Sequence, residues 1–283
     1  MGIQKIINEL IYYSIIHSEP SEFKQLIGGT VSELYLLNVD GNKYVVKLND
    51  PKVIESETIY LDYYKDTELL PKLLFVEPSN KYIVYSFING STNYNRRNKK
   101  EVLETLVERL LNKYKPAPNE NGWGWVDQPV DSWQTFLSNE IVEANKIIAS
   151  RLDSDNYHLV HNLVIKTSSD SKRYLLHGDC GVHNFIFNGN QLSGVIDPTS
   201  IIGDPIYDLI YAFCSSPDDL TKETIDFVGN HLVKEEKNSS TLYEYVIIGL
   251  YIRLGKCIKH HPNDFEKYLK AWYYWKEVLH NVN

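Results

Sequence analysis

Residues 185–196 constrain the fold most. Phe185-Ile186-Phe187 and the run 192–196 are short β-prone segments separated by Asn188-Gly189-Asn190, residues that tolerate the positive φ of a tight turn, so together they predict a β-hairpin. Folding back near Asn190 brings the two open ends side by side, and those ends carry Asn184 and Asp197. An amide oxygen and a carboxylate held together suit Mg²⁺, which prefers hard oxygen ligands and keeps places for water and substrate phosphates. His177-Gly178-Asp179 precedes the hairpin and sets a second carboxylate facing whatever such a metal would hold.

His177-Gly178-Asp179 with Asn184, followed by Val195-Ile196-Asp197 and by Gly203-Asp204-Pro205 with Asp208, resembles the aminoglycoside phosphotransferase family, which has a protein-kinase-like fold. The resemblance is specific over 175–212. Upstream it keeps the family's order through Lys47, a following acidic helix and Tyr85-Ser86-Phe87-Ile88-Asn89-Gly90, so it spans roughly the whole chain. It implies ATP- or GTP-dependent, Mg²⁺-dependent phosphorylation of a hydroxyl on a small molecule. In such chemistry the protein chiefly positions the nucleophile and neutralises phosphate oxygens. Asp179 is then the residue that orients the acceptor hydroxyl and takes its proton late, which needs no strongly raised pKa. Asn184 and Asp197 hold the metal, and His177 supports the loop. Asp204, before Pro205, favours a turn; Asp208 opens the apolar run 209–213, where its carboxylate can cap a helix or brace the loop's N–H groups. The short span between Asp197 and Asp208 leaves little room for an activation segment, so no activating phosphorylation is expected.

The rest of the chain reads as α+β in two lobes. Residues 24–28, 31–39, 43–48, 72–76 and 82–87 read as strands of a small antiparallel sheet, with Asp40-Gly41-Asn42 as a hairpin turn and 53–65 as a helix. The polar stretch Asn89-Gly90-Ser91-Thr92-Asn93 marks the boundary between a nucleotide-binding lobe, 1–90, and a larger, mainly helical lobe, 91–283, with the catalytic loop and substrate site. Helical patterns run over 101–114, from a Ser132 cap, and over 242–258 and 265–279; the first sixteen residues form an amphipathic helix rather than a signal segment.

On the phosphate side, Gly28-Gly29-Thr30 lies at the first strand turn, where backbone N–H groups can approach phosphate oxygens. Lys47 ends an apolar strand where kinase-like folds present a lysine to the α- and β-phosphates; read alone, it is an exposed strand-end lysine. Its acidic partner is Glu57 or Glu55, with Glu57 preferred because it shares a helix side with Leu61 and Tyr64. Ser86, Phe87 and Ile88 resemble the strand against which adenine docks through backbone hydrogen bonds.

Composition narrows the partners. Against 37 acidic residues the chain has 29 Lys and Arg, a net charge of −8 that argues against a nucleic-acid footprint and makes a cationic or neutral small acceptor easier to accommodate. Cys180, Cys214 and Cys257 have neither disulfide nor zinc spacing, which suits a reducing cytoplasm, and no segment is apolar enough to span a membrane. Trp123 and Trp125 either stack on an acceptor or pack internally; Glu140, Glu143, Asp218 and Asp219 either pair with acceptor ammonium groups or lie on solvated faces. The tail, 279–283, lacks the acidic terminus that 3′-aminoglycoside kinases use, so the resemblance implies a small-molecule hydroxyl kinase without fixing a drug as acceptor. Two other readings stand beside it: a non-catalytic nucleotide-binding module, and a metal hydrolase using His177, Asp179, His183 and Asp197, which lack established zinc spacing.

Overall fold

The computed structural model describes residues 2–26, 32–117, 122–167, 172–233 and 239–282. Its first part is a five-stranded antiparallel sheet of order β1-β2-β3-β5-β4, formed by β1 (Glu22–Gln25), β2 (Glu33–Val39), β3 (Asn42–Leu48), β4 (Leu73–Val76) and β5 (Tyr82–Ser86). Side chains alternate across a strand, so β3 serves two cores at once. Val46 joins Tyr82 and Val84 against Ile6, Ile7 and Leu10 of α1 (Ile3–Tyr12). Val45, Ile83 and Tyr85 face the other way, toward Ile54, Tyr60 and Leu61 of α2 (Pro51–Tyr63). Lys47 falls on the Val45 side, which carries its ammonium under α2 rather than into solvent; it is 2% exposed. Helix α2 starts where Asp50 accepts the Lys52 N–H and Pro51 occupies the first turn, a position where the missing N–H costs nothing.

The second part is mainly helical. Helices α3 (Lys99–Arg109), α4 (Trp133–Ile148), α5 (Ser154–Lys166), α6 (Ile206–Cys214), α7 (Lys222–His231), α8 (Ser239–His260) and α9 (Phe265–Val282) share one core, with Trp133, Trp272 and Trp275 fully buried. Ser132 caps α4 by accepting the Thr135 N–H at 3.0 Å, a contact of the kind worth about 1 kcal/mol. Two small sheets complete this part: β6 (Gly124–Trp125), β10 (Ile201–Gly203) and β7 (Tyr174–Leu176) in one, β8 (Phe185–Asn188) with β9 (Gln191–Val195) in the other. Among the described residues no helix is long and apolar enough to cross a membrane, and all three cysteines are free and buried.

Candidate active site

The expected hairpin forms from β8 and β9, with Gly189 at φ +61° in its turn. Beyond the last pair, Phe185 with Val195, the Ile196 N–H donates to the Asn184 carbonyl at 2.9 Å. That bond sets Asp197 immediately outside the ladder, at φ +63°, a left-handed conformation that aspartate tolerates better than most residues. Upstream, the loop after β7 is held by α6. Asp208 accepts the His177 N–H at 2.8 Å, the Gly178 N–H at 3.0 Å and the Tyr114 hydroxyl at 2.6 Å. Bracing is therefore its role, while Asp204 supplies the turn contact by accepting the Ile206 N–H at 3.0 Å. Burial pushes the Asp208 pKa up to about 6 against these donors. Gly178 is needed here: its φ is +79°, and a Cβ would lie 2.0 Å from the Thr199 carbonyl oxygen.

His177 is fully buried and its Nε2–H donates to the Ile196 carbonyl at 3.0 Å, tying the loop to the far end of the hairpin. Burial lowers its pKa to about 4, so it is a neutral strut. Asp179 is gripped on both oxygens: Tyr211 of α6 donates to Oδ1, and His183 Nε2 (3.1 Å) and Asn184 Nδ2 (3.0 Å) lie at Oδ2. Burial works upward on its pKa, but His183 and Tyr211 outweigh it and pull it down to about 2, leaving a fixed, ionised carboxylate. Asn184 Nδ2 also donates to the Asp179 carbonyl at 2.9 Å, which spends its amide nitrogen and leaves Oδ1 without a partner among the described residues. Tyr211 was not among the sequence candidates, and His183 entered only as a ligand of the hydrolase reading, not as a partner of Asp179. The signals were present in spacing alone: His183 lies four residues after Asp179, and Tyr211 one helical turn after Asp208.

Lys47 donates to Glu57 Oε2 at 2.5 Å and, across 150 residues, to Asp197 Oδ1. Burial opposes its charge, but the two carboxylates prevail and raise its pKa. Glu57 is 1% exposed, whereas Glu55 points to solvent; burial pushes Glu57 up to about 7 while Lys47 pulls it back. Beside this cluster opens a cavity of about 450 Å³, lined from the sheet by Leu34, Val45 and Tyr85, from the hairpin by Ile186 and Ile196, and at its polar end by Lys47, Asn184 and Asp197. Its size is within the usual range for small-molecule sites.

Gly28, Gly29 and Thr30 lie outside the described residues. Ser86 and Phe87 also line the cavity, yet their N–H groups are spent on the Lys72 and Lys43 carbonyls (2.9 and 3.1 Å). Ile88 is the position whose N–H and C=O have no partner among the described residues, so the edge expected over 86–88 narrows to it. Trp123 packs on Trp133 and Trp125 on Phe136, the internal alternative. Glu140 bonds the Trp125 side chain, Glu143 pairs with Lys146, Asp218 with Arg96, and Asp219 accepts from Thr221 and Thr224. The hydrolase ligand set does not form, since His177 Nε2 is committed to a carbonyl; among the described residues the cluster close enough to share a cation is Glu104, Glu108 and His231, outside the cavity lining.

The chain matches the model of the phosphotransferase enzyme family (APH) over residues 22–231. No curated protein sequence matches it. Among solved structures, the aminoglycoside phosphotransferase APH(4)-Ia is 17% identical with a TM-score of 0.64, covering 99% of each chain. A thermostable mutant of the same enzyme, in ternary complex with ADP and hygromycin B, is also 17% identical, with a TM-score of 0.63 and 98% of each chain covered. Choline kinase LicA from Streptococcus pneumoniae is 19% identical with a TM-score of 0.61, covering 99% of each chain. At these identities the structures establish a shared kinase-like architecture, an antiparallel sheet lobe joined to a mainly helical one, and the family match over most of the sequence assigns the chain: it belongs to the phosphotransferase enzyme family.

Proposed function

We propose that the protein transfers the γ-phosphoryl group of ATP, or GTP, to a hydroxyl of a small molecule, using Mg²⁺, in a reducing cytoplasm. The observation that carries this reading is the convergence of Glu57 and Asp197 on Lys47, with Lys47, Asp197 and Asn184 lining the polar end of a cavity of about 450 Å³. The donor set fits a hard divalent ion: Asn184 has its amide nitrogen spent and its oxygen free among the described residues, and the Asp197 side chain is 45% exposed. When bound there, Mg²⁺ would supply neutralisation of phosphate oxygens. Lys47 would add a second positive charge, braced from behind by Glu57. Leu34 and Val45 on one side and Ile186 and Ile196 on the other form a slot suited to a purine ring, and the Ile88 peptide groups give it a polar edge.

Asp179 performs the proton chemistry in this reading. Tyr211 and His183 fix its carboxylate, and a pKa near 2 keeps it ionised, so it orients the acceptor hydroxyl and accepts the proton only as the new bond to phosphorus forms. The division at residue 90 would put nucleotide binding on the sheet side and acceptor binding on the helical side. A coupled ADP-release screen against aminoglycosides, macrolides and amino-alcohol metabolites, run with wild type and Asp179→Ala, tests the proposal. Asp179→Ala should retain ATP affinity and lose turnover by orders of magnitude, while Asp197→Ala should lose metal-nucleotide affinity. Equal losses of affinity in both would refute this division of labour, and an Asp179→Ala enzyme as active as wild type would favour the non-catalytic module.

A further inference from the structure

Helix α2 carries Glu57, and most of its polar contacts lead away from the sheet it covers. Ser200, just beyond Asp197, donates its Oγ to the Ser56 carbonyl at 3.1 Å. Tyr60 and His177 meet edge to face, their ring centres 5.6 Å apart. The Tyr63 hydroxyl donates to the Pro116 carbonyl at 2.5 Å, and Lys115 Nζ donates to the Tyr63 carbonyl at 2.9 Å. Tyr64 donates to the Leu175 carbonyl at 2.6 Å and accepts the Lys115 N–H at 3.0 Å. Further on, the Leu69 carbonyl accepts the Val195 N–H of β9 at 2.7 Å. Residues 51–70 are thus fastened along their length to the segments that hold Asp179, Asn184 and Asp197.

Toward the sheet the same helix is apolar, with Ile54, Tyr60 and Leu61 against Val45, Ile83 and Tyr85. Apolar contact is non-directional and lets packed elements slide, whereas hydrogen bonds fix their register. Among the described residues, the side-chain hydrogen bonds from β1–β5 to α2 or to residues 91–283 are the two of Lys47, to Glu57 and Asp197.

The chain passes between sheet and helical part three times, and the bonding changes sides within a few residues each time. Asn49 Nδ2 donates to Ser32 Oγ at 2.7 Å, on the sheet side, while Asp50 already caps α2. Leu69 is bonded to β9, but the Lys72 N–H donates to Ser86 Oγ at 2.8 Å and its carbonyl accepts the Ser86 N–H at 2.9 Å. Lys72 Nζ reaches back to the Lys65 and Thr67 carbonyls, within this connection itself. At Gly90 φ is +146°, and the next residue, Ser91, pairs with Phe187 of the hairpin.

We propose that the sheet and the α1 packed on it move as one body when nucleotide binds, that residues 51–70 stay with the helical part, and that Lys47 is the latch between the two bodies. This rests on the phosphotransfer reading for the nucleotide that drives the motion, and it refines the division at residue 90. Glu57, Asp179, Asn184 and Asp197 then form a preset half of the site, against which one lysine is brought up or withdrawn.

Pulsed EPR distances between pairs of nitroxides test the proposal. Exposed positions take the labels: Asn42→Cys in the sheet, Glu55→Cys on α2 and Asp155→Cys on α5, with the unsubstituted chain as control for the buried native cysteines. On adding Mg²⁺ and AMP-PNP, the mean distances from Asn42 to Glu55 and from Asn42 to Asp155 should shift by more than about 2 Å, and that from Glu55 to Asp155 by less than about 1 Å. Lys47→Met, without nucleotide, should broaden both distances from Asn42 and leave the one from Glu55 to Asp155 narrow. A Glu55-to-Asp155 distance that shifts or broadens while Asn42 to Glu55 stays fixed would place α2 with the sheet and overturn the inference. So would nucleotide binding with no shift in any pair, or an unchanged spread in Lys47→Met. Failure of AMP-PNP to bind would instead sink the phosphotransfer reading, and the Lys47→Met comparison, which needs no nucleotide, would still decide between one body and two.

Discussion

Lys47 and Lys99 are equally hidden, at 2% and 3% exposure, yet their surroundings answer the problem of a buried amine in opposite ways. Lys47 is met by two carboxylates from distant parts of the chain, and its pKa rises in spite of burial. Lys99, in the first turn of α3, reaches the end of α6 and donates to the carbonyls of Phe213 at 2.8 Å and Ser216 at 2.9 Å. Burial dominates there and lowers its pKa to about 7, with Asp218 and Asp219 only partly opposing. Two carbonyls satisfy the two N–H donors of a neutral amine; they do not supply a countercharge. A buried lysine thus points to ionic chemistry only where full negative charges converge on it, and the same side chain is otherwise a helix clamp.

The largest test of that contrast is Lys47→Met. Turnover in ADP release should fall about 10²- to 10³-fold, the usual loss when a charge-stabilising donor is removed. Lys99→Met should leave turnover within a few-fold of wild type; a loss as large as that of Lys47→Met would break the comparison. His177, another buried base without an ion-pair partner, extends it to acid pH. Its pKa of about 4 lies below the ordinary 6.5, so between those values the unfolded chain binds the extra proton and the folded chain does not. Stability should therefore fall as pH drops from about 6.5 to 4, by about 3 kcal/mol, and His177→Gln should flatten that limb in urea titrations.

Lys99 has the same sign at higher pH. Its folded pKa of about 7 is below the ordinary 10.5, so stability should rise as pH increases from 7 toward 9, by about 2 to 3 kcal/mol, and the rise should vanish in Lys99→Met. Lys47, whose pKa is raised, should add no such slope over this window. The smallest effect is expected from Tyr211→Phe, which removes one donor from Asp179 while His183 and Asn184 remain. A several-fold fall in kcat with nucleotide affinity unchanged is expected.

What the sequence disclosed follows the range of the interactions involved. The 184–197 hairpin was legible because its turn chemistry and strand alternation are local, and β2 to β5 for the same reason. Strand alternation put Lys47 on the Val45 face, but its bond to Asp197 joins residues 150 apart, and only the tertiary fold could supply that. Helices α5 and α7 escaped the reading: each is short, and their buried sets, such as Val160, Leu163 and Val164, form only a brief stripe. Residues 86–88, at and beyond the end of β5, line the cavity, while the use of the Ser86 and Phe87 N–H groups depended on partners at Lys72 and Lys43 that no local pattern specifies. Asp208 illustrates the middle case. Two local roles were open to it, and its reach back to residues 177 and 178 chose between them.

The bond between Lys47 and Asp197 also sets a condition on how the site fills. Lys47 keeps Glu57 if Asp197 turns away, but Asp197 has Lys47 as its ion-pair partner, so the lysine cannot turn toward a ligand without leaving the aspartate uncompensated unless a cation arrives in the same event. A triphosphate offers anions to the lysine, and only an accompanying divalent cation repays the aspartate. Nucleotide and metal should accordingly strengthen one another's binding by equal factors, as reciprocal linkage demands, and a chelated nucleotide solution should find this enzyme a poor host.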